Sequence, residues 1–336
     1  MQPTFVIAGK LAREYILPYS GPPLLDSPGG SLLYAAGGLA VWNTSAGLIG
    51  RVDENYPTQW LRDLEKRGFD TRGICALPEL QNADLRFFTA FNDVNERSLS
   101  SAVSHFARRQ LTFPKSLLGY QPPDESRKDP RAPEPVSPSA LDTPKEYRVT
   151  PYVHLCPFDF VSQSQMVNLY RSGSGQTVSL DPSPGYMSPG FWRDLRLVLQ
   201  GVTVFQPSEE ELRSLFWGET NDLWEMARRI SEDGPQLVVV KRGAQGQMLY
   251  DVPGNHRYEI PAYPSRIADL TGAGDAFCGG FLAGFQQRND PLMAALYGSV
   301  SASLTIEGSG PFYALGVLPG LAKARLHWLK EAAREI

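Results

Sequence analysis

The sequence predicts an α/β fold, a three-layer α/β/α arrangement with a mainly parallel central sheet and a small β-sheet lid. Short apolar runs alternate with helix-like segments, each run is apolar on both faces, and hydrophobic residues make up 42% of the 336 residues. Strands covered by helices on both sides have this continuous apolar pattern, and the alternation of strands with helices favours a parallel sheet. The same composition excludes global disorder.

The elements follow one another along the chain. Thr4 to Ala8 is a β-branched and aromatic run that ends at Gly9 and predicts a buried strand. Apolar residues at helical spacing from Trp60 predict a helix, with Gly68 at the expected cap. The further predicted helices are 32–42 and 276–285, and the further predicted strands are 45–49, 153–157, 178–181, 202–205 and 237–241.

We expect one domain over residues 1–336, although two stretches interrupt the alternation of strands and helices. Residues 85–92 alternate weakly and residues 93–97 follow like a hairpin turn, which predicts a small antiparallel flap. This flap, the lid, is expected over residues 10–20 and 83–107. Residues 120–144 contain seven prolines and many charges, which predicts an irregular or mobile insertion loop.

Charge and cysteine usage exclude several classes of function. The net charge is −4, from 32 basic and 36 acidic residues, and no basic run suggests a nucleic-acid partner. Three scattered cysteines and four scattered histidines have neither disulfide nor zinc-site spacing. The N-terminus lacks the features of a signal peptide, and no apolar window approaches about 18 residues. A cytoplasmic protein with a small-molecule substrate and no membrane partner is expected.

The segment 269–275 (DLTGAGD) carries the chemistry. Small residues at Gly272, Ala273 and Gly274 leave several backbone N–H groups free to converge, and a predicted helix begins directly after them. Such donors at the positive end of a helix bind anions. Asp275 at the mouth of this site could accept the proton of an attacking hydroxyl in phosphoryl transfer. Spacing alone fits a plain glycine-rich turn equally well.

Two commoner nucleotide motifs do not fit this segment. A Walker A motif needs a Gly-Lys-Ser/Thr run, which is missing after Gly272, and the dinucleotide fingerprint needs glycine where Phe277 stands. Gly280 and Gly284 lie four residues apart, and we expect them to let the following helix approach its neighbours closely.

The run DLTGAGDAFCGGF closely resembles the C-terminal signature of the ribokinase-like (PfkB) carbohydrate kinases. The resemblance continues in order over nearly the whole chain, apart from the insertion loop. The other matching pieces are the glycine pair in 28–30, the segments 48–52 and 64–70, the lid turn at 96–97, the strand end at 180–182, the P-N-x-x-E-like segment 207–211 and the nucleotide-side turn 240–246.

This resemblance implies ATP- and Mg²⁺-dependent phosphorylation of a hydroxyl group on a sugar or sugar acid. The implied roles are Asp275 as the base, Gly272, Ala273 and Gly274 as the anion hole, Lys241, Gly243, Gly246 and Thr271 at the nucleotide, Glu211 at Mg²⁺ through water, and Asp269 at a monovalent cation such as K⁺.

The implied substrate residues depart from the family pattern. They are Glu14, Gly29, Gly30, Tyr34, Arg97 and Asp275. Glu14 stands in place of an aspartate, and Tyr34 and Ser208 each stand in place of an asparagine. The phosphate side therefore matches the family, whereas the substrate side is remodelled.

Several readings of this remodelling stay open. A smaller or acidic substrate such as a keto-deoxy sugar acid, a nucleoside stacked on Tyr34, and a non-catalytic pseudokinase are all compatible with the sequence. Dimerisation through the lid is open as well.

Overall fold

Two sheets organise the chain, one of ten strands and one of four. The computed structural model describes residues 2–80, 83–94, 96–122, 129–171 and 175–336. Asn95 in the predicted lid turn and residues 123–128 of the predicted insertion lie outside the described residues.

The strands of both sheets are short. In chain order they are β1 (Phe5–Ala8), β2 (Ala12–Leu17), β3 (Leu24–Gly29), β4 (Gly47–Val52), β5 (Asp70–Ala76), β6 (Arg86–Phe91), β7 (Arg97–Ser98), β8 (Tyr152–Leu155), β9 (Thr177–Leu180), β10 (Val204–Phe205), β11 (Leu237–Lys241), β12 (Gln247–Asp251), β13 (His256–Ile260) and β14 (Arg334–Glu335).

The helices are longest near the C-terminus. They are α1 (Ser31–Ala40), α2 (Thr58–Lys66), α3 (Ala102–Arg108), α4 (Phe160–Arg171), α5 (Trp192–Leu199), α6 (Glu209–Leu215), α7 (Leu223–Ser231), α8 (Ala273–Arg288), α9 (Pro291–Thr305) and α10 (Leu321–Ala332). None of those in the described part of the chain is long and apolar enough to cross a bilayer.

The large sheet has the order β14-β13-β12-β11-β10-β9-β8-β1-β4-β5. Its strands from β11 to β5 pair in parallel, whereas β12, β13 and β14 form an antiparallel edge. The carboxyl ends of the parallel strands therefore lie along one edge, which is where open α/β sheets bind ligands.

Helices cover both faces of this sheet, as predicted. On one face, α4 to α7 pack on alternate residues of the central strands, for example Met166 and Met226 against Val153 and Phe205. On the other face, α1, α2, α8, α9 and α10 bury Ile7 and Val239 with their neighbours. The predicted three-layer architecture is confirmed.

Helix α8 lies at the centre of the second layer. A Cβ on Gly280 would lie 2.3 Å from the Ser301 hydroxyl, and one on Gly284 would lie 2.7 Å from the Tyr297 side chain. Neither contact leaves room for a side chain, so these glycines bring α8 against α9. The predicted close approach is confirmed.

The small sheet has the order β3-β2-β6-β7 and differs from the predicted flap in two ways. First, β2 and β6 pair in parallel, while only β2–β3 and β6–β7 are antiparallel. Second, β3 lies outside the predicted segments 10–20 and 83–107; its sequence, LLDSPG, contains a proline and a glycine, which rarely occur inside strands.

The outer face of this small sheet is covered by its own chain. Tyr15, Leu17 and Phe88 lie on that face and pack against Phe106 of α3 and against Leu117. The opposite face carries Glu14. The described apolar residues of the packed face are buried, and the free edges of the sheet are β3 and β7.

Element boundaries differ from the predictions by a few residues. The strand predicted to close at Gly50 continues to Val52, and the helix predicted from Ala276 begins at Ala273. The described part of the insertion, residues 129–144, is irregular as predicted, but it is also anchored: Arg131 pairs with Asp194 at 2.6 Å.

Candidate active site

The predicted anion loop forms the N-terminus of α8. Gly272 caps the helix with φ of 72°, in the left-handed region that favours glycine. The Ala273 amide donates to the Leu270 carbonyl at 3.3 Å, so it is engaged in the turn. The amides of Gly274 and Asp275 follow in the first turn, where a helix provides no acceptor of its own. Of the three residues of the predicted anion hole, Gly274 has the best-placed donor.

Asp275 lies in this same first turn. The residue keeps some contact with solvent, while its carboxyl group lies deep. Burial raises the pKa of Asp275 to about 7; Asp181 adds to the rise and Lys241 opposes it. A carboxyl group with this pKa changes charge near neutral pH, which is the range that suits a general base.

Lys241 and Asp181 form an ion pair beneath the anion loop. The Lys241 Nζ lies 2.5 Å from Asp181 Oδ2, and a Cβ on Gly274 would lie 3.6 Å from the same ammonium group. Burial lowers the pKa of Lys241, but Asp181, Cys278 and Glu211 outweigh it and the pKa is raised. The ammonium group therefore stays charged, next to the loop that is expected to bind phosphate.

Asp181 was not predicted as a site residue, although it is only 3% exposed and sits among the predicted ones. It directly follows β9 and also accepts a hydrogen bond from the Cys278 thiol at 3.4 Å. The signal in the sequence was an acidic residue immediately after a buried strand, at the edge where ligands bind.

Glu211 has a structural role in this conformation. Its Oε2 accepts hydrogen bonds from the Ser208 amide (2.7 Å) and hydroxyl (2.8 Å), while the Ser208 Oγ accepts from the Glu211 amide (3.2 Å). This is a capping box at the start of α6. Burial raises the pKa of Glu211 to about 7, with a further contribution from Asp181.

Within the described part of the chain, two buried polar atoms next to the anion loop have no hydrogen-bond partner. They are the Thr271 hydroxyl and Asp269 Oδ2. The other carboxylate oxygen, Asp269 Oδ1, accepts from the Thr271 amide at 2.9 Å. Burial raises the pKa of Asp269. Both atoms lie beside the anion loop and are candidates for contact with a bound group.

The two glycines predicted at the nucleotide form one turn after β11. Gly243 has φ of 55° and Gly246 has φ of 82°. A Cβ on Gly246 would lie 2.0 Å from the Ile260 carbonyl oxygen, whereas one on Gly243 would meet nothing within 4 Å. Gly246 is therefore required by the turn itself, and Gly243 borders open space.

On the substrate side, Glu14 and Tyr34 bind each other. Glu14 is 2% exposed; its Oε2 accepts from the Tyr34 hydroxyl at 2.9 Å and its Oε1 accepts from the Gly30 amide at 3.0 Å. Its carboxyl carbon lies 1.9 Å from where a Cβ on Gly29 would be. Burial raises the pKa of Glu14 to about 8, and Asp269 and Asp275 add to the rise.

The Tyr34 ring is packed against the anion loop. The ring is 2% exposed, and a Cβ on Gly272 would lie 2.0 Å from it. The expectation that Tyr34 offers an open aromatic face for stacking a nucleoside base is therefore wrong for this conformation. Arg97, by contrast, is exposed in β7. Within the described part of the chain, no hydrogen bond or ion pair joins it to the other predicted site residues.

Comparison with known proteins agrees with this geometry. Residues 165–315 match the sequence model of the pfkB family carbohydrate kinases. The matched region begins in α4, so it contains Asp181, Lys241 and Asp275 but neither Glu14 nor Tyr34.

Two relatives are similar over most of the chain. A cytidine kinase of Thermococcus kodakarensis is 26% identical over 267 residues, 79% of this chain and 82% of that protein. An ATP-dependent ribose-1-phosphate kinase of Halopiger xanaduensis is 26% identical over 286 residues, 85% of this chain and 82% of that protein. The structure of Arabidopsis thaliana ribokinase with ribose and ATP aligns with a TM-score of 0.66 at 18% identity, covering 98% of this chain and 99% of that one.

Proposed function

Since the chain belongs to the ribokinase-like PfkB carbohydrate kinase family, we propose that it transfers the γ-phosphoryl group of ATP with Asp275 as the general base. It is a phosphotransferase that acts on a sugar or nucleoside hydroxyl. The observation that carries the proposed mechanism is the position of Asp275, deep in the first turn of α8 with its pKa raised to about 7.

The carboxylate of Asp275 accepts the proton of the acceptor hydroxyl as that oxygen attacks the γ-phosphorus. The P–O bond to the leaving ADP breaks, and the new P–O bond joins the phosphoryl group to the acceptor. The Gly274 amide, the dipole of α8 and the nearby Lys241 ammonium stabilise negative charge on the transferring group.

The charge balance of the phosphate side fits a divalent cation. Asp181, Glu211 and Asp275 influence one another electrostatically, and Lys241 is the cation that acts on all three. Among the described residues, no three side chains are arranged to ligate a metal directly. Oxygen ligands and retained water suit Mg²⁺, so Glu211 would hold it through water, with ATP phosphates completing the shell. When bound, Mg²⁺ neutralises phosphate charge.

The nucleotide lies, in this proposal, between the turn after β11 and the anion loop. The unpaired Thr271 hydroxyl binds a phosphate oxygen. Gly243 and Gly246 flank the nucleotide, Gly243 where the chain leaves open space and Gly246 within the turn itself. Asp269 Oδ2, the second unpaired buried atom, is suited to a monovalent cation such as K⁺.

The small sheet acts as a lid over the acceptor. Glu14, Gly29 and Gly30 lie at its inner surface, and closure over the acceptor excludes water from the phosphoryl group. The acceptor is a sugar, a sugar acid or a nucleoside. Arg97 stays a proposed contact that requires the β6–β7 hairpin to move inward. If a homodimer forms through the lid, the contact uses the free edge strands of the small sheet, β3 and β7.

The test is ADP release from Mg·ATP across a panel of neutral sugars, sugar acids and nucleosides. Turnover with one class, accompanied by a phosphorylated product detected by mass spectrometry, would support the kinase. ATP binding without turnover for any member of a broad panel would favour a non-catalytic binding protein.

A further inference from the structure

Three buried polar atoms on the substrate side have no hydrogen-bond partner among the residues that the structure describes. They are Asp53 Oδ1, the Tyr56 hydroxyl and the Thr89 hydroxyl. Tyr56 is 4% exposed and Thr89 is fully buried. A buried polar group without a partner costs about 1–3 kcal/mol, so three of them near one site indicate a polar ligand.

Asp53 and Tyr56 belong to one turn that follows β4. The Tyr56 amide donates to the Asp53 carbonyl at 3.2 Å. The turn therefore stands at the carboxyl end of a parallel strand, the edge that also carries Asp275 and Asp181. It also faces the lid: burial raises the pKa of Tyr56, and the carboxyl group of Glu14 adds to this rise.

Thr89 lies in strand β6 of the lid, which closes over the proposed acceptor site. It pairs with Ile16 in the parallel ladder between β2 and β6, so its side chain lies on the same face as Ile16 and, two residues earlier, Glu14. The opposite face of the lid is the one packed against α3. Thr89 thus carries its unpaired hydroxyl on the inner face of the lid.

Glu14 on the inner face of the lid is already engaged with its neighbours. Each of its carboxylate oxygens accepts one hydrogen bond, from the Gly30 amide and from the Tyr34 hydroxyl, which leaves one further acceptor position on each oxygen. The unpaired atoms of Asp53, Tyr56 and Thr89 have their whole hydrogen-bonding capacity left for an acceptor.

The charges around this region argue against an anionic acceptor. Arg13 makes a two-pronged ion pair with Asp26, at 2.9 and 2.7 Å. Arg51 pairs with Asp142 at 2.5 Å.

Lys10, which follows β1, pairs with Glu134. Each of these three cations is neutralised by the chain itself, while Asp53, Asp269 and Asp275 lie on the same side. An acceptor carboxylate would meet repulsion here, because Lys241 is already paired with Asp181 and Arg97 is exposed on β7 and would have to move inward to reach it.

We propose that Asp53, Tyr56 and Thr89 bind the non-reacting hydroxyls of the acceptor, and that the acceptor is an uncharged polyhydroxyl compound, a free sugar or the ribose of a nucleoside, rather than a sugar acid. The inference rests on the proposed kinase function and names its substrate class. Asp53 accepts from acceptor hydroxyls, whereas Tyr56 and Thr89 can both donate and accept.

The experiment uses three variants of the full chain: Asp53→Ala, Tyr56→Phe and Thr89→Val. The last two remove one hydroxyl and keep the shape of the side chain. Tyr170→Phe is the matched control, because Tyr170 is also a buried tyrosine with an unpaired hydroxyl but lies in α4, in the helix layer on the other face of the sheet.

We expect Tyr56→Phe and Thr89→Val each to raise the KM for the best neutral acceptor about 3- to 10-fold, and Asp53→Ala about 10- to 100-fold, with the KM for ATP unchanged. Tyr170→Phe should leave both constants unchanged. The wild type should use a sugar acid at least about tenfold less efficiently than the corresponding neutral sugar.

Calorimetric binding of the same compounds to the wild type and the variants separates this inference from the kinase proposal. Neutral compounds that bind without turnover, and bind more weakly to the three variants, would support the inference and contradict the kinase. Turnover that is as insensitive to these variants as to Tyr170→Phe, or a preference for the sugar acid, would keep the kinase and overturn the inference.

Discussion

Replacing Asp275 by asparagine tests the proposed base most directly. Asparagine has the same shape but cannot accept the acceptor proton, and the Gly274 amide, Lys241 and the turn of α8 stay in place. We therefore expect kcat to fall by about 10²–10⁴-fold, the range of a positioned general base, with both KM values changed by no more than a few fold.

The activity of the wild type should depend on pH through the ionisation of Asp275. The base works only when ionised, and burial raises the pKa of Asp275 to about 7. Log kcat/KM should rise with pH up to about 7 and level off above it. The residual activity of Asp275→Asn should not show this rise with pH. Coupled ADP-release assays between pH 5.5 and 8.5 measure both profiles.

The ionisation of Asp275 should also make the stability of the protein depend on pH, in a direction that its raised pKa fixes. The pKa of Asp275 is raised from its ordinary 3.8, so the folded protein binds this proton more tightly than the unfolded chain does. The contribution of Asp275 to the free energy of unfolding must then fall as pH rises from about 4 to 7. Asp275→Asn does not ionise, so it should gain stability relative to the wild type on going from pH 5 to pH 8 in urea unfolding. A loss of kcat below about tenfold, or a stability difference independent of pH, would refute the assignment.

Three further predictions concern the neighbouring residues. Lys241→Met should lower the free energy of unfolding by about 3–5 kcal/mol in urea, because it leaves Asp181 buried without its partner. Gly272→Ala should abolish most turnover, since its Cβ would lie 2.0 Å from the Tyr34 ring, whereas Gly243→Ala, with open space around it, should cost only about 1–2 kcal/mol of backbone strain and retain activity. Tyr34→Phe should lower the free energy of unfolding by about 1–3 kcal/mol, because one oxygen of Glu14 loses its donor, and an unchanged value would show that water replaces the hydroxyl.

Local patterns in the sequence were sufficient to predict the sheet and the turn that begins α8, whereas the anion-binding role of that turn was predicted from the family resemblance. The segment 269–275 contains its own glycines, its aspartate and the start of α8, so nothing distant in the chain is needed to predict the loop. The buried strands are short apolar runs whose type is set by their own residues. For the same reason β3 was missed: Pro28 and Gly29 argue against a strand, and only pairing with β2 makes one.

Contacts between distant residues could not be predicted in this way. Asp181 and Lys241 are 60 residues apart and meet because β9 and β11 flank β10 in the sheet. The unpaired hydroxyl of Tyr56 is equally invisible in the sequence, where Tyr56 is an ordinary aromatic residue after a strand. Glu211 differs: the run Ser208 to Glu211 has capping-box spacing, so its structural role could have been predicted beside its proposed metal role.

The remodelled positions bear on whether the site has decayed into a pseudokinase. The departures from the family pattern at Glu14, Tyr34 and Ser208 are each satisfied by a specific partner. Ser208 completes the capping box with Glu211, and the Tyr34 hydroxyl occupies one oxygen of Glu14 while its ring fills the space above Gly272. Substitutions that accumulate without selection leave buried polar groups unpaired and cavities unfilled, because nothing restores the match. The Thr271 hydroxyl, where phosphate is expected, and the Tyr56 hydroxyl, where the acceptor is expected, have no partner among the described residues. Departures from the family pattern that keep specific partners are the pattern of a working pocket with altered specificity.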